Sequence, residues 1–236
     1  MTRPRAHILY FGGVNCHHET KFALEQAGAD ARILLLNRVL QKKDRLSDCD
    51  LHVLAGGFGH GDHIRSGVIA AIDIVRRPRL REEYEQMIER GVPILGICNG
   101  FQDVAASGLL GGELGKPTIL MDHNMVATFQ HWMNTKVVLH HNPGCVWTEG
   151  LDGMEIRMPS AHGEGQPVNL RPDVSPEWAI AGTYGSYEGI ATYPISPNWS
   201  HIAGIHHKNV TAFMPHPERN LREGILIFQA GVRAVM

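Results

Sequence analysis

Apolar and polar positions come in alternating blocks along the first 110 residues. Residues 6–10, 31–36 and 51–55 are strand-length segments, apolar except for His7, Arg32 and His52. After the first, Gly12-Gly13-Val14-Asn15-Cys16 makes a turn, with Asn15 as N-cap, and a helix runs to Ala27 with Gly28 as its stop. Residues 37–48 are polar, a short helix plus loop. Residues 68–75 and 80–90 have helical spacing, the second segment being charged and ended by Gly91. A further apolar run, 94–97, ends at Cys98, and a helical pattern over 101–107, closed by Gly108, begins at once. This alternation predicts a parallel sheet covered by helices.

Beyond Gly108 the rhythm changes. Gly111, Gly112, Gly115 and Pro117 mark a loop, and 118–128, 136–139 and 154–158 look like strands without helices between them. They predict an antiparallel region added to the parallel sheet. Residues 159–165 form a tight polar turn, 171–176 a loop and 178–183 a strand. The Gly-, Pro-, Ser- and Tyr-rich stretch 185–200 reads as a long surface excursion. Residues 202–205 and 210–214 pair as strands, and Leu221, Ile225, Phe228 and Val232 set the face of a closing amphipathic helix. The expected fold is α/β, a mostly parallel central sheet with flanking helices and an antiparallel addition, in one domain over 1–236.

Composition narrows the setting. The chain has 236 residues, 43% of them apolar, enough for one core. A net charge of −2 with histidine neutral gives no bulk attraction to nucleic acid or an anionic membrane. With neither a bilayer-length apolar stretch nor a signal peptide, a cytoplasmic location is expected. Cys16, Cys49, Cys98 and Cys145 form no C-x-x-C pair and fit free thiols in a reducing compartment. Fifteen histidines, without an H-E-x-x-H, read as polar surface or loop residues, and no metal site is expected. Arg76, Arg77, Arg79 and Arg81 read as a solvated face.

The candidate chemistry centres on the elbow at Cys98. Gly96 and Gly100 flank it, where larger side chains would clash with a residue held in a sharp turn. Such a thiol stands over the carboxyl edge of the sheet, where open α/β folds bind ligands. The following helix points its N-terminus at the sulfur, which favours thiolate and a developing oxyanion. The pattern alone also fits a buried structural cysteine in an ordinary strand–helix connection. Five glycines within 56–67 suggest either a phosphate cradle, though the Lys-Ser/Thr of a P-loop is missing, or amides of Gly56, Gly57 and Phe58 facing the crevice of Cys98. In Met214-Pro215-His216-Pro217-Glu218-Arg219 the prolines hold the backbone extended, so His216 and Glu218 point the same way. A carboxylate that orients an imidazole beside a thiol is the arrangement of an activated nucleophile. The spacing leaves open a rigid turn with an exposed salt bridge.

Taken together these segments resemble a known family. Leu95-Gly96-Ile97-Cys98-Asn99-Gly100-Phe101-Gln102 is similar to the nucleophile motif of class I, triad-type glutamine amidotransferases. Ala55-Gly56-Gly57-Phe58 with Gly61-Asp62, Ala161-His162-Gly163-Glu164-Gly165, and the segment from Met214 to Arg219 narrow the resemblance to the glutaminase subunits of phosphoribosylformylglycinamidine synthase. Gly13-Val14-Asn15-Cys16 and Ile202-Ala203-Gly204-Ile205 also look like that family.

The resemblance implies a flavodoxin-like amidotransferase sheet and a set of roles. Cys98 attacks the glutamine side-chain amide, His216 is base and then acid, and Glu218 orients His216. Amides of Gly57 (or Phe58) and Asn99 form the oxyanion hole. Gln102 contacts the substrate, and the backbone around His162, Gly163 and Glu164 holds its α-amino and α-carboxylate groups. Ammonia passes to a large synthetase subunit, accompanied by a small bridging subunit, in purine biosynthesis. ATP and Mg²⁺ belong to that partner, with no cofactor in this chain. Gly59-His60, Gln166-Pro167 and the stretch 187–200 depart from the family pattern, which bears on the partner-facing surface. The alternatives are the same half-reaction serving a different ATP-dependent synthetase, a non-catalytic regulatory subunit, and a stand-alone thiol hydrolase.

Overall fold

In the computed structural model, which describes residues 2–62, 64–124, 129–173, 175–185 and 201–236, the apolar runs become strands of one large sheet. The strands are β1 (Arg5–Tyr10), β2 (Asp30–Leu35), β3 (Leu51–Leu54), β4 (Ile94–Ile97), β5 (Ile119–His123), β6 (Gln130–Leu139), β7 (Glu155–His162), β8 (Glu164–Asn169), β9 (Ala179–Tyr184), β10 (Ile202–His207) and β11 (Val210–Phe213). The helices are α1 (His17–Gln26), α2 (Leu36–Leu40), α3 (Val68–Arg76), α4 (Pro78–Glu89), α5 (Asn99–Ser107) and α6 (Ile225–Ala234).

Nine strands pair in the order β2-β1-β3-β4-β11-β10-β9-β6-β7, and β5 pairs with β8 in a separate ribbon. From β2 to β11 every pairing is parallel, and from β11 to β7 every pairing is antiparallel. The parallel part has the flavodoxin strand order, with its fifth strand supplied from near the C-terminus. Strands β3, β4 and β11 are buried along their whole length, which is why they are apolar apart from His52 and Thr211, both of which find partners inside the fold. The loops after β1, β3, β4 and β11 therefore meet at one carboxyl edge.

Helix α5 is buried on nearly all sides against that edge, and α3 lays Ala70, Ala71 and Ile74 beside it. The arginine cluster is used in helical pairs: Arg77 with Asp73 at 2.6 Å, Arg81 with Glu85 at 2.7 Å, and Arg79 with the buried Glu83. Exposed pairs of this kind stabilise a helix by only about 0.3–0.5 kcal/mol. Glu83 differs, because it also accepts the Ser47 N–H at 2.6 Å and ties α4 to the loop before β3.

Several expectations are corrected. The N-cap of α1 is Cys16, not Asn15, and no side chain caps it. Residues 159–165 are not a turn: β7 runs through His162, and after Gly163 the chain crosses into the second ribbon as β8. Small and polar residues lie there because the strands line a site. β6 and β7 are longer than the apolar runs that announced them. The strand expected over 118–128 is β5, Ile119–His123, and residues 125–128 lie outside the described ones. Apart from Gly185, the expected excursion at 185–200 also lies outside the described residues. Finally, His7, His52, His162, His206, His207 and His216 are buried rather than superficial. Their rings find partners inside the fold: His52 bridges the His7 carbonyl and Tyr84 Oη, and His206 meets Thr211 Oγ1 at 3.0 Å.

Gly100 packs against β3 so closely that a Cβ would collide with the Leu54 carbonyl, and one on Gly96 would come within 2.6 Å of the Gly100 carbonyl. Gly100→Ala is therefore expected to cost about 3 kcal/mol or more, at the upper end of overpacking effects. Equilibrium unfolding in urea checks this; a loss below about 1 kcal/mol would contradict it.

Candidate active site

Cys98 follows the last residue of β4 and precedes the first of α5, with φ +52° and ψ −106°. A side chain other than glycine at positive φ is strained, and the fold holds it from both sides. The Cys98 N–H donates to the Phe213 carbonyl at 2.8 Å, and the Cys98 carbonyl accepts the N–H groups of Phe101 and Gln102. The thiol is 5% exposed and donates to the Ala161 carbonyl at 3.4 Å.

His216 arrives from the segment after β11. Its N–H donates to the Pro159 carbonyl at 2.7 Å, which fixes that segment to β7. The ring Nδ1 and Glu218 Oε1 are 2.7 Å apart, and both residues are buried. The two side chains do converge, though not along an extended run. His216 is extended, but Pro217–Arg219 is a 3₁₀ turn with proline at its first position. A Cβ on Gly56 would lie 2.6 Å from His216 Cε1 and 3.3 Å from Cys98 Cβ, so imidazole and thiol-bearing carbon flank one point. Only a glycine leaves room for them. Residues 118 positions apart in sequence thus share one corner of the carboxyl edge.

Burial works against an imidazolium at His216. The Glu218 carboxylate, then the Cys98 and Cys16 sulfurs, outweigh it and hold its pKa well above the ordinary value. His162 shows the opposite: burial, then the charge of His216, pushes it down to about 3. Its Nδ1 faces Asn124 Oδ1 at 3.2 Å, while Asn124 Nδ2 donates to the His162 carbonyl and Asn124 Oδ1 accepts the Gly165 N–H. These backbone bonds fix the Asn124 amide, so the proton of His162 sits on Nδ1 and Nε2 accepts from Tyr184 Oη at 3.4 Å.

The glycine-rich loop after β3 packs against the loop after β1. Asn15 N–H and Cys16 N–H both donate to the Gly56 carbonyl, and Phe58 N–H donates to the Gly13 carbonyl at 2.9 Å. The Phe58 amide is therefore occupied, whereas Gly57, at φ +149°, turns its own N–H away from this bridge. Asn99 clamps the loop further: its Oδ1 accepts the Gly59 N–H at 2.8 Å and its Nδ2 donates to Gln102 Oε1 at 2.9 Å. Gln102 Nε2 donates to the Glu164 carbonyl at 2.7 Å.

A cavity of about 250 Å³ opens beside the thiol, lined by Gly57, Phe58, Ser66, Cys98, Gln102, His123, Phe129, Ala161, His162, Gly163 and Glu164. It is smaller than the sites of drug-sized ligands, which start near 300 Å³, and suits a small polar metabolite. Phe58 and Phe129, with ring centroids 5.9 Å apart, face each other at the mouth. A larger cavity of about 390 Å³, lined by Glu113, Lys116, Arg171, Trp178 and Lys208 among others, contains neither Cys98 nor His216.

Cys98, His216, Glu218, Gly57, Phe58, Asn99, Gln102, His162, Gly163 and Glu164 thus gather around one corner, with Glu218 behind His216. Sequence reasoning missed Asn124 and Tyr184, which set the His162 tautomer, and the clamping role of the Asn99 side chain. No periodicity marks them, because their partners are distant in sequence. Cys16, His216 and Glu218 each bring a donor atom within 4.8 Å of the others. The Arg219 guanidinium on the Cys16 sulfur and the proton between His216 and Glu218 already occupy those donors, so the cluster suits an internal network rather than a cation.

Two deeply buried histidines make stability pH-dependent. Burial pushes both His52 and His162 down to about 3 in the fold, against about 6.5 in an unfolded chain. Between these values the unfolded chain binds more protons, so stability falls on acidification by about 1.4 kcal/mol per pH unit for each ring. His216, with its raised pKa, contributes in the opposite direction, losing stability as pH rises through that value. Below about pH 6.5 the His216 contribution is constant, so urea midpoints measured from about pH 6.5 to about 4.5 should fall steadily; a flat profile over that range would contradict the assignment.

Comparison with known proteins agrees with this geometry. Residues 3–225 match the model of the CobB/CobQ-like glutamine amidotransferase domain. The phosphoribosylformylglycinamidine synthase subunit PurQ of Pyrococcus furiosus is 36% identical over 239 residues, covering 97% of each chain. That of Pyrococcus horikoshii is 38% identical over 217 residues, covering 90% of this chain and 87% of the relative. Among solved structures, a chain of PurLQS from Thermotoga maritima superposes with a TM-score of 0.79 at 28% identity, covering both chains completely. Among the described residues no helix is long and apolar enough to cross a membrane. With such matches along nearly its whole length, the chain belongs to the CobB/CobQ-like glutamine amidotransferase family, in the branch that holds the PurQ subunits.

Proposed function

We propose that this chain is the glutaminase subunit of phosphoribosylformylglycinamidine synthase, a single amidotransferase domain over 1–236 that supplies ammonia for purine biosynthesis. The observation that carries the reading is the convergence of Cys98, His216 and Glu218 beside a small polar cavity.

Glutamine enters past Phe58 and Phe129, with its α-amino and α-carboxylate groups against the backbone of His162, Gly163 and Glu164 and the side chain of Gln102. The Cys98 thiol passes its proton to His216, and the sulfur attacks the γ-carboxamide carbon. Negative charge moves onto the amide oxygen, which the N–H groups of Gly57 and Asn99 receive; such donors are typically worth about 3–4 kcal/mol each. The protonated His216 gives its proton to the departing nitrogen, the C–N bond breaks, and ammonia leaves a γ-glutamyl thioester on Cys98. His216 then takes a proton from water, which attacks the thioester and releases glutamate and the thiol. Glu218 holds the ring throughout and balances its charge. This half-reaction needs no cofactor in the chain. ATP and Mg²⁺ belong to the large synthetase subunit, with a small bridging subunit completing the complex.

A pull-down from the native host followed by a glutamine-dependent assay on formylglycinamide ribonucleotide tests the reading. Co-purification of an ATP-dependent synthetase that turns over this substrate with glutamine is expected. Capture of a synthetase that rejects it, while using glutamine for another acceptor, would overturn the choice of acceptor and keep the half-reaction.

A further inference from the structure

Cys16 and Arg219 take no part in the chemistry above, yet they adjoin it. Cys16 stands in the turn before α1 and Arg219 in the 3₁₀ turn that carries Glu218, 203 positions apart. Arg219 Nη2 donates to Cys16 Sγ at 2.9 Å, and the thiol donates to Asn15 Oδ1 at 3.2 Å. The sulfur is buried, while Arg219 lies at the surface. Cys16 Sγ, a ring nitrogen of His216 and a carboxylate oxygen of Glu218 are mutually within 4.8 Å. The sulfur therefore lies close behind the dyad, with a surface guanidinium hydrogen-bonded to it. The backbone of the same residue braces the other side, since its N–H holds the Gly56 carbonyl at 3.1 Å and Gly56 fits between His216 and Cys98.

We infer that Cys16 is a positioning residue for the amidotransferase reaction: its sulfur holds the Arg219 guanidinium near Glu218 and backs the His216 ring so that the imidazole faces Cys98. The inference rests on Cys98 being the nucleophile. Glu218 makes the role necessary. Its Oε2 is buried without a hydrogen-bond partner, so the carboxylate has the His216 ring on one oxygen and depends on nearby positive charge for the rest. The groups that act on His216 are Glu218 from its own segment, Cys16 from the turn before α1, Cys98 from the elbow and His162 from β7. Arg219 acts through Cys16 and Glu218. A sulfur both accepts from the guanidinium and fills the volume behind the ring. Serine keeps the hydrogen bonds with a smaller atom, and alanine keeps neither.

The test is the pH dependence of Cys98 alkylation by iodoacetamide in the full chain, followed by peptide mapping so that the other cysteines do not contribute. In Cys16→Ala the Cys98 rate near neutral pH should fall about tenfold and the half-maximal pH should rise by about one unit, because less imidazolium is held beside the sulfur. Arg219→Met should shift the profile the same way, and Cys16→Ser should restore most of the rate. Superimposable profiles for the unaltered chain and Cys16→Ala would overturn the inference, as would a slower rate with an unmoved profile. Should Cys16→Ala fail to fold, Arg219→Met, a change at the surface, carries the same test. If Cys98 in the unaltered chain reacts no faster than the buried Cys49 and Cys145, the nucleophile reading fails first; if it reacts faster but no variant moves its profile, only the positioning role fails.

Discussion

Replacing Cys98 by alanine is expected to lower glutamine-dependent synthesis by the reconstituted complex by about 10⁴–10⁶-fold, while synthesis from added ammonium salt stays within about twofold. The size follows from the chemistry. Without the sulfur no thioester forms, and the oxyanion donors and cavity alone retain only the residual catalysis seen when a nucleophile is deleted. The retained ammonia activity follows from the division of labour, since the synthetase needs only the nitrogen. Side-by-side assays with glutamine and with ammonium check this. A parallel loss of both activities would mean that Cys98 supports assembly rather than amide cleavage. The elbow geometry argues otherwise, because the strained backbone of Cys98 is held by the Phe213 carbonyl and by the α5 N–H groups, not by its side chain.

Glu218→Gln is expected to have the second-largest effect, a fall in kcat of about 10³-fold with little change in KM for glutamine. A glutamine oxygen can still accept from His216 Nδ1, so the ring is kept in place, but the charge is lost. The carboxylate is the first of the groups that hold His216 above its ordinary pKa against burial. Its removal lets burial prevail and the imidazolium becomes scarce. Because the ring then gives up its proton at lower pH, the deficit grows as pH rises, and the alkaline limb of kcat against pH should move downward. Glu218 does not line the cavity, so substrate binding should be spared. The reduction is set below the roughly 10⁴-fold typical of serine triads because a thiol is intrinsically the better nucleophile. A raised KM with unchanged kcat would place Glu218 in substrate binding and contradict its orienting role.

How much of this was legible in the chain depends on whether a feature is local. The elbow was legible because everything that makes it is contiguous: an apolar run for a buried strand, then glycine, cysteine and glycine at two-residue spacing where β3 and α5 crowd together. The parallel sheet was legible because β1, β3 and β4 are predominantly apolar and largely buried on both faces, a pattern that survives without knowledge of partners. The antiparallel half was blurred where function replaced hydrophobic periodicity. At His162-Gly163-Glu164 the chain leaves one sheet for another, and its small and polar residues serve the cavity, so they imitate a turn. The pairing of His216 with Glu218 was anticipated on an extended backbone and is achieved by a 3₁₀ turn. The buried histidines were hidden because each is satisfied by a partner elsewhere in the sequence, as His52 is by His7 and Tyr84. Cys16 was visible as part of a motif, but nothing local says that its sulfur meets Arg219 across the fold.

The claim on which the rest depends is that the thiol at position 98 is the group that opens the glutamine amide. A glutamine analogue with an electrophilic γ-carbon, incubated with the chain and its synthetase partner, tests it most directly by intact mass and peptide mapping. The account predicts one covalent adduct, located on Cys98 and prevented by excess glutamine. No adduct, or an adduct on Cys16, Cys49 or Cys145 with Cys98 unmodified, would contradict it.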